Sequence, residues 1–288
     1  MDIYFCIHLN TKIAMLEDLR SQLIHSVLPL DIINIISNYL ETSIKVEFSD
    51  NQIIYLKQSE FENLDCKDVI NIYIYGVLVL LNPIAKFKFS KIQTITGDVI
   101  LIGNINRMFF FAKDFNSNIN KWDTKDVVNM NNVFNFAIKF NSDLSNWNTE
   151  NVTDMSYMFC STRKFNSDIS NWNTANVTNI NYMFYEALDF NYNLSNWNTS
   201  KVTEMSYVFC NATSFSPSSN VRFSISNWNT SKVTDLRYMF YNARNFNSNI
   251  SNWNTTSATD MSYIFDGSIK FKGRTIRIGK TWKITYTG

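Results

Sequence analysis

Apolar residues return along this chain on a 25-residue beat. Trp122, Trp147, Trp172 and Trp197 are 25 residues apart; Trp228 follows after 31 and Trp253 after 25 more. Phe109, Phe134, Phe159, Phe184, Phe209, Phe240 and Phe265 keep the same time, as do Phe115, Phe140, Phe165, Phe190, Phe215, Phe246 and Phe271. The one irregular interval, between Phe215 and Trp228, holds six extra residues and predicts a loop insertion in one repeat. The unit reads F-N-S-D-I-S-N-W-N-T-x-x-V-T-D-M-S-Y-M-F-x-x-A. Its second half places Val152, Met155, Met158, Phe159 and Thr162 at i, i+3, i+6, i+7 and i+10, the apolar face of a short helix. Thr153 or Asp154 would cap that helix. Its first half, Leu144 to Thr149, partly alternates and predicts a strand or extended turn. Phe140 lies between the two and would plug the interior.

A unit of this size cannot bury its apolar face alone, so neighbours must stack into one continuous core. The period falls within the range of about 20–29 residues of leucine-rich repeats, with Trp, Phe and Met in the places of Leu. The expected fold is therefore an α/β repeat solenoid, leucine-rich-repeat-like, with a short strand and a short helix per repeat. At about 4.8 Å per repeat, six repeats would span about 30 Å. Asn146, Asn171, Asn196, Asn227 and Asn252 would then stack and hydrogen-bond through their amides along the stack.

The N-terminal hundred residues obey other patterns. Met15 to Ile24 and Ile32 to Leu40 read as two helices, with Pro29 near the second start and Asp31 in its first turn. Ile44 to Phe48, Lys86 to Ile92 and Val99 to Ile102 read as strands. The implied organisation is a helical module over 1–45, degenerate strand-rich repeats over 46–101, regular repeats over 102–271 and capping strands over 272–288.

The phrase N-W-N-T-x-x-V-T-D-M-S-Y-M-F, recurring from about Ile102 to Phe271, resembles the 25-residue BspA-like repeat. That repeat is found in mycoplasma lipoproteins, other bacterial surface proteins and giant-virus proteins. The resemblance implies a leucine-rich-repeat-like solenoid that binds proteins or surfaces, and no catalytic residue. Leu28, Pro29, Asp31, Ile36, Tyr39 and Leu40 also resemble the start of an F-box. This second resemblance implies docking to the adaptor of a cullin-type ubiquitin ligase, with Leu28, Pro29, Ile32, Ile36 and Leu40 as the contacting residues. The alternative is a helical cap on the first repeat, since terminal repeats need one. The abundance of Asn, Ile, Lys, Phe and Tyr suggests an AT-rich genome, and with the two resemblances points to a giant DNA virus of protists as source.

Composition narrows the chemistry. Of 288 residues, 26 are Lys or Arg and 25 Asp or Glu, so the net charge of +1 gives no global pull toward nucleic acid. Two histidines, His8 and His25, argue against histidine-based zinc sites and against a Ser-His-Asp triad. Cys6, Cys66, Cys160 and Cys210 form no C-x-x-C pair. Cys160 and Cys210 share one repeat slot with Tyr185 and Tyr241, about 10 Å apart if stacked, which favours packing over a disulfide. No phosphate loop or paired carboxylates appear, so no catalytic, cofactor-binding or metal-binding residue is expected.

The start lacks a basic segment, and Asn71, Asn82 and Pro83 interrupt the apolar run from Val69 to Ala85, so neither a cleaved leader nor a membrane span is expected. Eight sequons (Asn151, Asn176, Asn193, Asn198, Asn211, Asn229, Asn249, Asn254) arise from an Asn-Thr-Ser-rich repeat and would carry glycans only after export. The basic stretch Lys272 to Lys283 reads as protection of an exposed edge strand. Two columns vary while their neighbours do not: Lys125, Glu150, Ala175, Ser200, Ser231 and Thr256, and Lys113, Ile138, Arg163, Leu188, Thr213, Arg244 and Ile269. Such columns can carry partner recognition. The functional expectation is a non-catalytic, intracellular protein-interaction scaffold (in host cytoplasm if viral), as a ubiquitin-ligase substrate receptor if the F-box resemblance holds. The alternative is an adhesive or structural protein of a virion or cell surface.

Overall fold

The computed structural model describes residues 42–61, 63–81, 89–216, 225–278 and 281–286. Chain contacts divide the protein into Met1–Glu41 and Thr42–Gly288, and the described residues all belong to the second unit. Strands β1 (Ser43–Phe48), β2 (Ile53–Lys57), β3 (Val69–Leu81), β4 (Thr94–Asn104) and β5 (Asp123–Asn129) form one open sheet in the order β2-β1-β3-β4-β5. The β1 strand is antiparallel to β2 and β3, whereas β3–β4 and β4–β5 are parallel. A single turn of helix, α1 (Gln58–Phe61), comes after β2, and a hairpin of β6 (Gly273–Ile278) and β7 (Thr281–Tyr286) ends the described chain.

The expected α/β leucine-rich-repeat-like solenoid is overturned. Among the described residues no repeat contains an α-helix, and the named strands make a mixed, unclosed sheet over the first part of the unit. Beyond Asn129 the repeats are joined as stacked rungs by isolated parallel bridges, Asn129 to Asp154, Asp154 to Asn179, Asn179 to Glu204, Glu204 to Asp235 and Asp235 to Asp260.

The segment read as a helix is a ribbon of consecutive turns, and its backbone shows why. Tyr157 and Ser161 have φ of 57° and 55°, in the left-handed region that no α-helix tolerates. The N–H groups then alternate in destination. Those of Met158, Cys160 and Thr162 turn inward to the carbonyls of Met155, Tyr157 and Phe159. Those of Met155, Tyr157, Phe159 and Ser161 reach the carbonyls of Asn179, Asn181, Met183 and Tyr185 in the next rung. A helix would spend all its N–H groups internally. The ribbon keeps a three-residue step, which imitates helical periodicity, and still bonds its neighbour as a strand does.

Every rung carries the same two left-handed positions, occupied by Tyr182 and Glu186, Tyr207 and Asn211, and Tyr238 and Asn242 in the later rungs. In the last rung the second position is Gly267, φ 76°. A left-handed non-glycine residue costs about 1–2 kcal/mol. Glu186→Gly is therefore expected to leave stability unchanged or raise it by up to about 1 kcal/mol, where a helix would lose about 1 kcal/mol. Urea denaturation of the two proteins checks the sign.

The core is a set of aromatic columns. The rings of Phe109, Phe134, Phe159, Phe184, Phe209, Phe240 and Phe265 stack at 5.4–5.8 Å. A second column from Phe115 to Phe246 stacks at 5.8–6.3 Å. Within a rung the two touch, as Phe159 and Phe165 do at 3.7 Å. Each buried Trp from the second rung on donates its indole N–H to a carbonyl of the preceding rung: Trp147 to Ile119, Trp172 to Leu144, Trp197 to Ile169, Trp228 to Leu194 and Trp253 to Ile225. Threonines bond the other way, Thr149 to the Asn173 carbonyl and Thr174 to that of Asn198. Buried polar groups are thus paired across the rung boundary, as burial demands. Trp122, at the first rung, has no partner for its N–H among the described residues; it borders a small apolar cavity with Phe61, Ile72 and Met108.

The asparagine ladder lies in a different column from the one expected. The amide oxygens of Asn116, Asn141, Asn166 and Asn191 accept the backbone N–H of Asn141, Asn166, Asn191 and Ser216 in turn, at 2.7–2.9 Å. Asn146 and Asn227 instead bond the rung before through other groups: the Asn146 N–H to the Asn120 amide, the Asn227 amide to the Ser195 carbonyl.

Candidate protein-recognition face

The left-handed turns position a second, outer aromatic column. In each rung the residue at the first left-handed site projects away from the phenylalanines, and from the third rung onward that residue is tyrosine. Tyr157, Tyr182, Tyr207, Tyr238 and Tyr263 stack at ring centroids of 4.5, 4.3, 4.7 and 4.8 Å. The first four are half-buried and Tyr263 is 55% exposed. Tyr185 and Tyr241 lean against Tyr182 and Tyr238 at 5.7 and 5.4 Å. Because the rings face one another, the column turns ring edges and hydroxyls toward solvent. Burial raises the phenol pKa of Tyr157, Tyr182, Tyr185 and Tyr238, so these hydroxyls stay protonated donors at neutral pH.

Beside the tyrosines, three residues earlier in each rung, run Asp154, Asn179, Glu204, Asp235 and Asp260, the residues of the parallel bridges. The carboxylates of Asp154 and Asp260 accept the N–H and hydroxyl of Ser156 and Ser262. These bonds hold the Asp260 carboxyl below the usual range. Asp235 is raised instead, by burial first, although Arg237 contacts it at 2.9 Å. Folded-state protonation of Asp235 therefore persists to higher pH than in the unfolded chain, and its contribution to stability falls as pH rises through the carboxylate range.

The two variable columns have a backbone explanation. The N–H groups of Glu150, Ala175, Ser200, Ser231 and Thr256 close Asx turns onto the side chains of Asn148, Asn173, Asn198, Asn229 and Asn254 at 2.9–3.1 Å. Ile138, Arg163 and Leu188 lend their carbonyls to Lys164, Asp189 and Ser214. Only main-chain atoms are needed for these bonds, so the side chain is free to vary. The sequon asparagines are structural too. Asn198, Asn229 and Asn254 make these turns, and Asn151 and Asn176 donate to the carbonyls of Lys125 and Glu150.

Cys66, Cys160 and Cys210 are free and buried, and burial pushes each thiol up to about 12. They are therefore expected to resist a disulfide reagent in the folded Cys6→Ser protein and to react as it unfolds. Thiol labelling against urea concentration, set beside circular dichroism, checks this; fast labelling before unfolding would contradict the burial. Among the described residues, no group of three His, Cys, Asp or Glu could hold a metal, and no helix is long and apolar enough to cross a membrane. Leu28, Pro29, Ile32, Ile36 and Leu40, the F-box-like residues, lie outside the described residues.

With the rungs in place, the comparison with known families is decisive. The model described as "Mycoplasma protein of unknown function, DUF285" matches three times, over residues 80–174, 145–224 and 215–286. The chain belongs to this family. Its threefold match spans the rungs and the closing hairpin and is consistent with a BspA-like surface repeat. No curated protein and no solved structure matches the chain. As a DUF285 protein, it carries its repeat signature in residues now assigned: Trp and Phe in the core, Asn and Thr in the rung-to-rung bonds, Tyr on the outer column.

Sequence reasoning passed over that tyrosine column. Its signal was present as the Y of S-Y-M-F, recurring with the phenylalanines, but a helical reading places it on a solvated face with no partner.

Proposed function

We propose that this DUF285 protein is a non-catalytic scaffold of surface-protein type that recognises protein partners through the face carrying Tyr157, Tyr182, Tyr207, Tyr238 and Tyr263. The observation that carries the reading is the outer stack at 4.3–4.8 Å, half-exposed where the phenylalanine columns already supply the core. Tyrosine brings large, rigid contact area and a hydrogen-bonding tip, which is why it is enriched at protein interfaces. Stacking holds each ring in place before binding, so little side-chain entropy remains to be lost. The column of Asp154, Asn179, Glu204, Asp235 and Asp260 alongside adds polar groups at the same interval. The reading rests on the repeat region and takes nothing from residues 28–40.

A photo-crosslinking residue at position 207 tests it, with position 192 as control. The expected result is a protein adduct from 207 that untagged wild-type chain competes away and that Tyr182→Ser with Tyr238→Ser reduces at least tenfold. Equal yields from 207 and 192 would refute the assignment.

A further inference from the structure

The rung-to-rung ladder stops with its donors unused. In six successive rungs, four alternate N–H groups bond four carbonyls of the next; the sixth set, from Leu236, Tyr238, Phe240 and Asn242, reaches Asp260, Ser262, Ile264 and Asp266. The seventh set belongs to Met261, Tyr263, Phe265 and Gly267, and among the described residues these N–H groups have no acceptor. The β6–β7 hairpin covers a different part of that rung: Thr255 donates to the Trp282 carbonyl, and the Tyr286 hydroxyl meets Asn247. Around the open edge, Tyr263 is 55% and Ile269 78% exposed, and Phe265 is only partly buried. Every earlier tyrosine from Tyr182 to Tyr238 has a ring on both faces, whereas Tyr263 has one on a single face.

We infer that this edge is a docking site for an acidic, aromatic-bearing peptide segment of a partner, which takes up the same ribbon of turns and adds as the next rung. Donors at every second residue are satisfied by a segment that turns alternate carbonyls toward them, as each later rung does for the one before it, a ribbon counterpart of strand-addition recognition. An aromatic side chain of the partner stacks on the bare face of Tyr263. The charge preference comes from three exposed cations that follow the edge in sequence, Lys270, Lys272 and Arg274, set against the exposed Asp266 and the half-buried Asp260, which Ser262 already holds. The site is separate from the lateral tyrosine face, so either proposal can fail alone.

The test uses the full chain and an alternating (Tyr-Glu)5 peptide, with an alternating (Tyr-Lys)5 peptide as the charge control. Amide hydrogen exchange is followed at residues 261, 263, 265 and 267. The (Tyr-Glu)5 peptide is expected to slow these four amides at least tenfold, with little effect from (Tyr-Lys)5. Lys270→Glu, a charge reversal at an exposed side chain, is expected to cut the protection at least threefold. No slowing at saturating peptide would overturn the inference, as would equal protection by both peptides. Protection that appears without peptide and grows with protein concentration would also overturn it, by giving the edge to a second copy of the chain.

Discussion

Phe184→Ala is expected to destabilise the repeat region by about 3–5 kcal/mol, the range for truncating a buried phenylalanine. Phe184 is fully buried and touches rings on every side: Phe159 at 5.8 Å, Phe190 at 4.1 Å, Trp197 at 6.2 Å and Phe209 at 5.5 Å. The neighbours cannot collapse into the vacated space, because backbone bonds on both sides fix the rung spacing. Aromatic pairs add about 0.5–1.5 kcal/mol each beyond burial, and several are lost together. Tyr192→Ala, at a 38% exposed position, should stay within about 0.5 kcal/mol of the parent. Urea midpoints for the two variants separate these outcomes; similar midpoints would mean that the columns do not hold the stack.

Deletion of whole and partial periods should differ even more. Removing residues 179–203 joins Thr178 to Glu204, two residues that succeed each other in repeat phase. Every ladder then closes one rung shorter, and the protein should fold with a denaturant dependence reduced in proportion to the lost surface. Removing 179–190 deletes Phe184 and Phe190 but leaves Trp197 behind, so the next rung enters out of phase. Its Trp and Thr would bury unpaired N–H and O–H groups, at about 1–3 kcal/mol apiece. Circular dichroism and sizing chromatography should show a native-like product in the first case and an aggregating chain in the second. A folded out-of-phase deletion would contradict the rung-by-rung bonding.

How much of the fold and its outer face was legible in the sequence differs element by element. The period, the stacking and the burial of Phe159, Phe165 and Trp172 could be read directly, because recurrence at fixed spacing reports a shared environment. The helix could not be corrected from sequence. Met155, Met158, Phe159 and Thr162 step by three, one and three residues, a spacing that fits a helix and also a ribbon of turns, and what separates the two is the sign of φ at Tyr157 and Ser161. Neither residue type announces a left-handed backbone; Asn211, Asn242 and Gly267, at the second site of the later rungs, hint at it. The asparagine ladder was assigned to the column of Asn146 rather than that of Asn141 for a related reason. Composition shows that asparagines recur, but which amide faces the next backbone N–H depends on the turn geometry around Phe140. The tyrosine face was missed because a helix gives Tyr157 nothing to stack on.

The ribbon has one more consequence, an electrical one. Its rung-to-rung N–H groups all point toward the later rungs and its carbonyls toward the earlier ones. Each such peptide is a dipole of about 3.5 D, and aligned peptides add. The bonds that run backwards, such as Thr178 to Thr153 and Lys164 to Ile138, are fewer per rung and cancel only part of the sum. A chain of net charge +1 thus carries a lengthwise field, positive at the last rung, the reverse of an α-helix, whose C-terminal end is negative. Each rung gained or lost would lengthen or shorten that moment without altering the charge. Dielectric relaxation, or alignment in an applied field, would therefore count rungs.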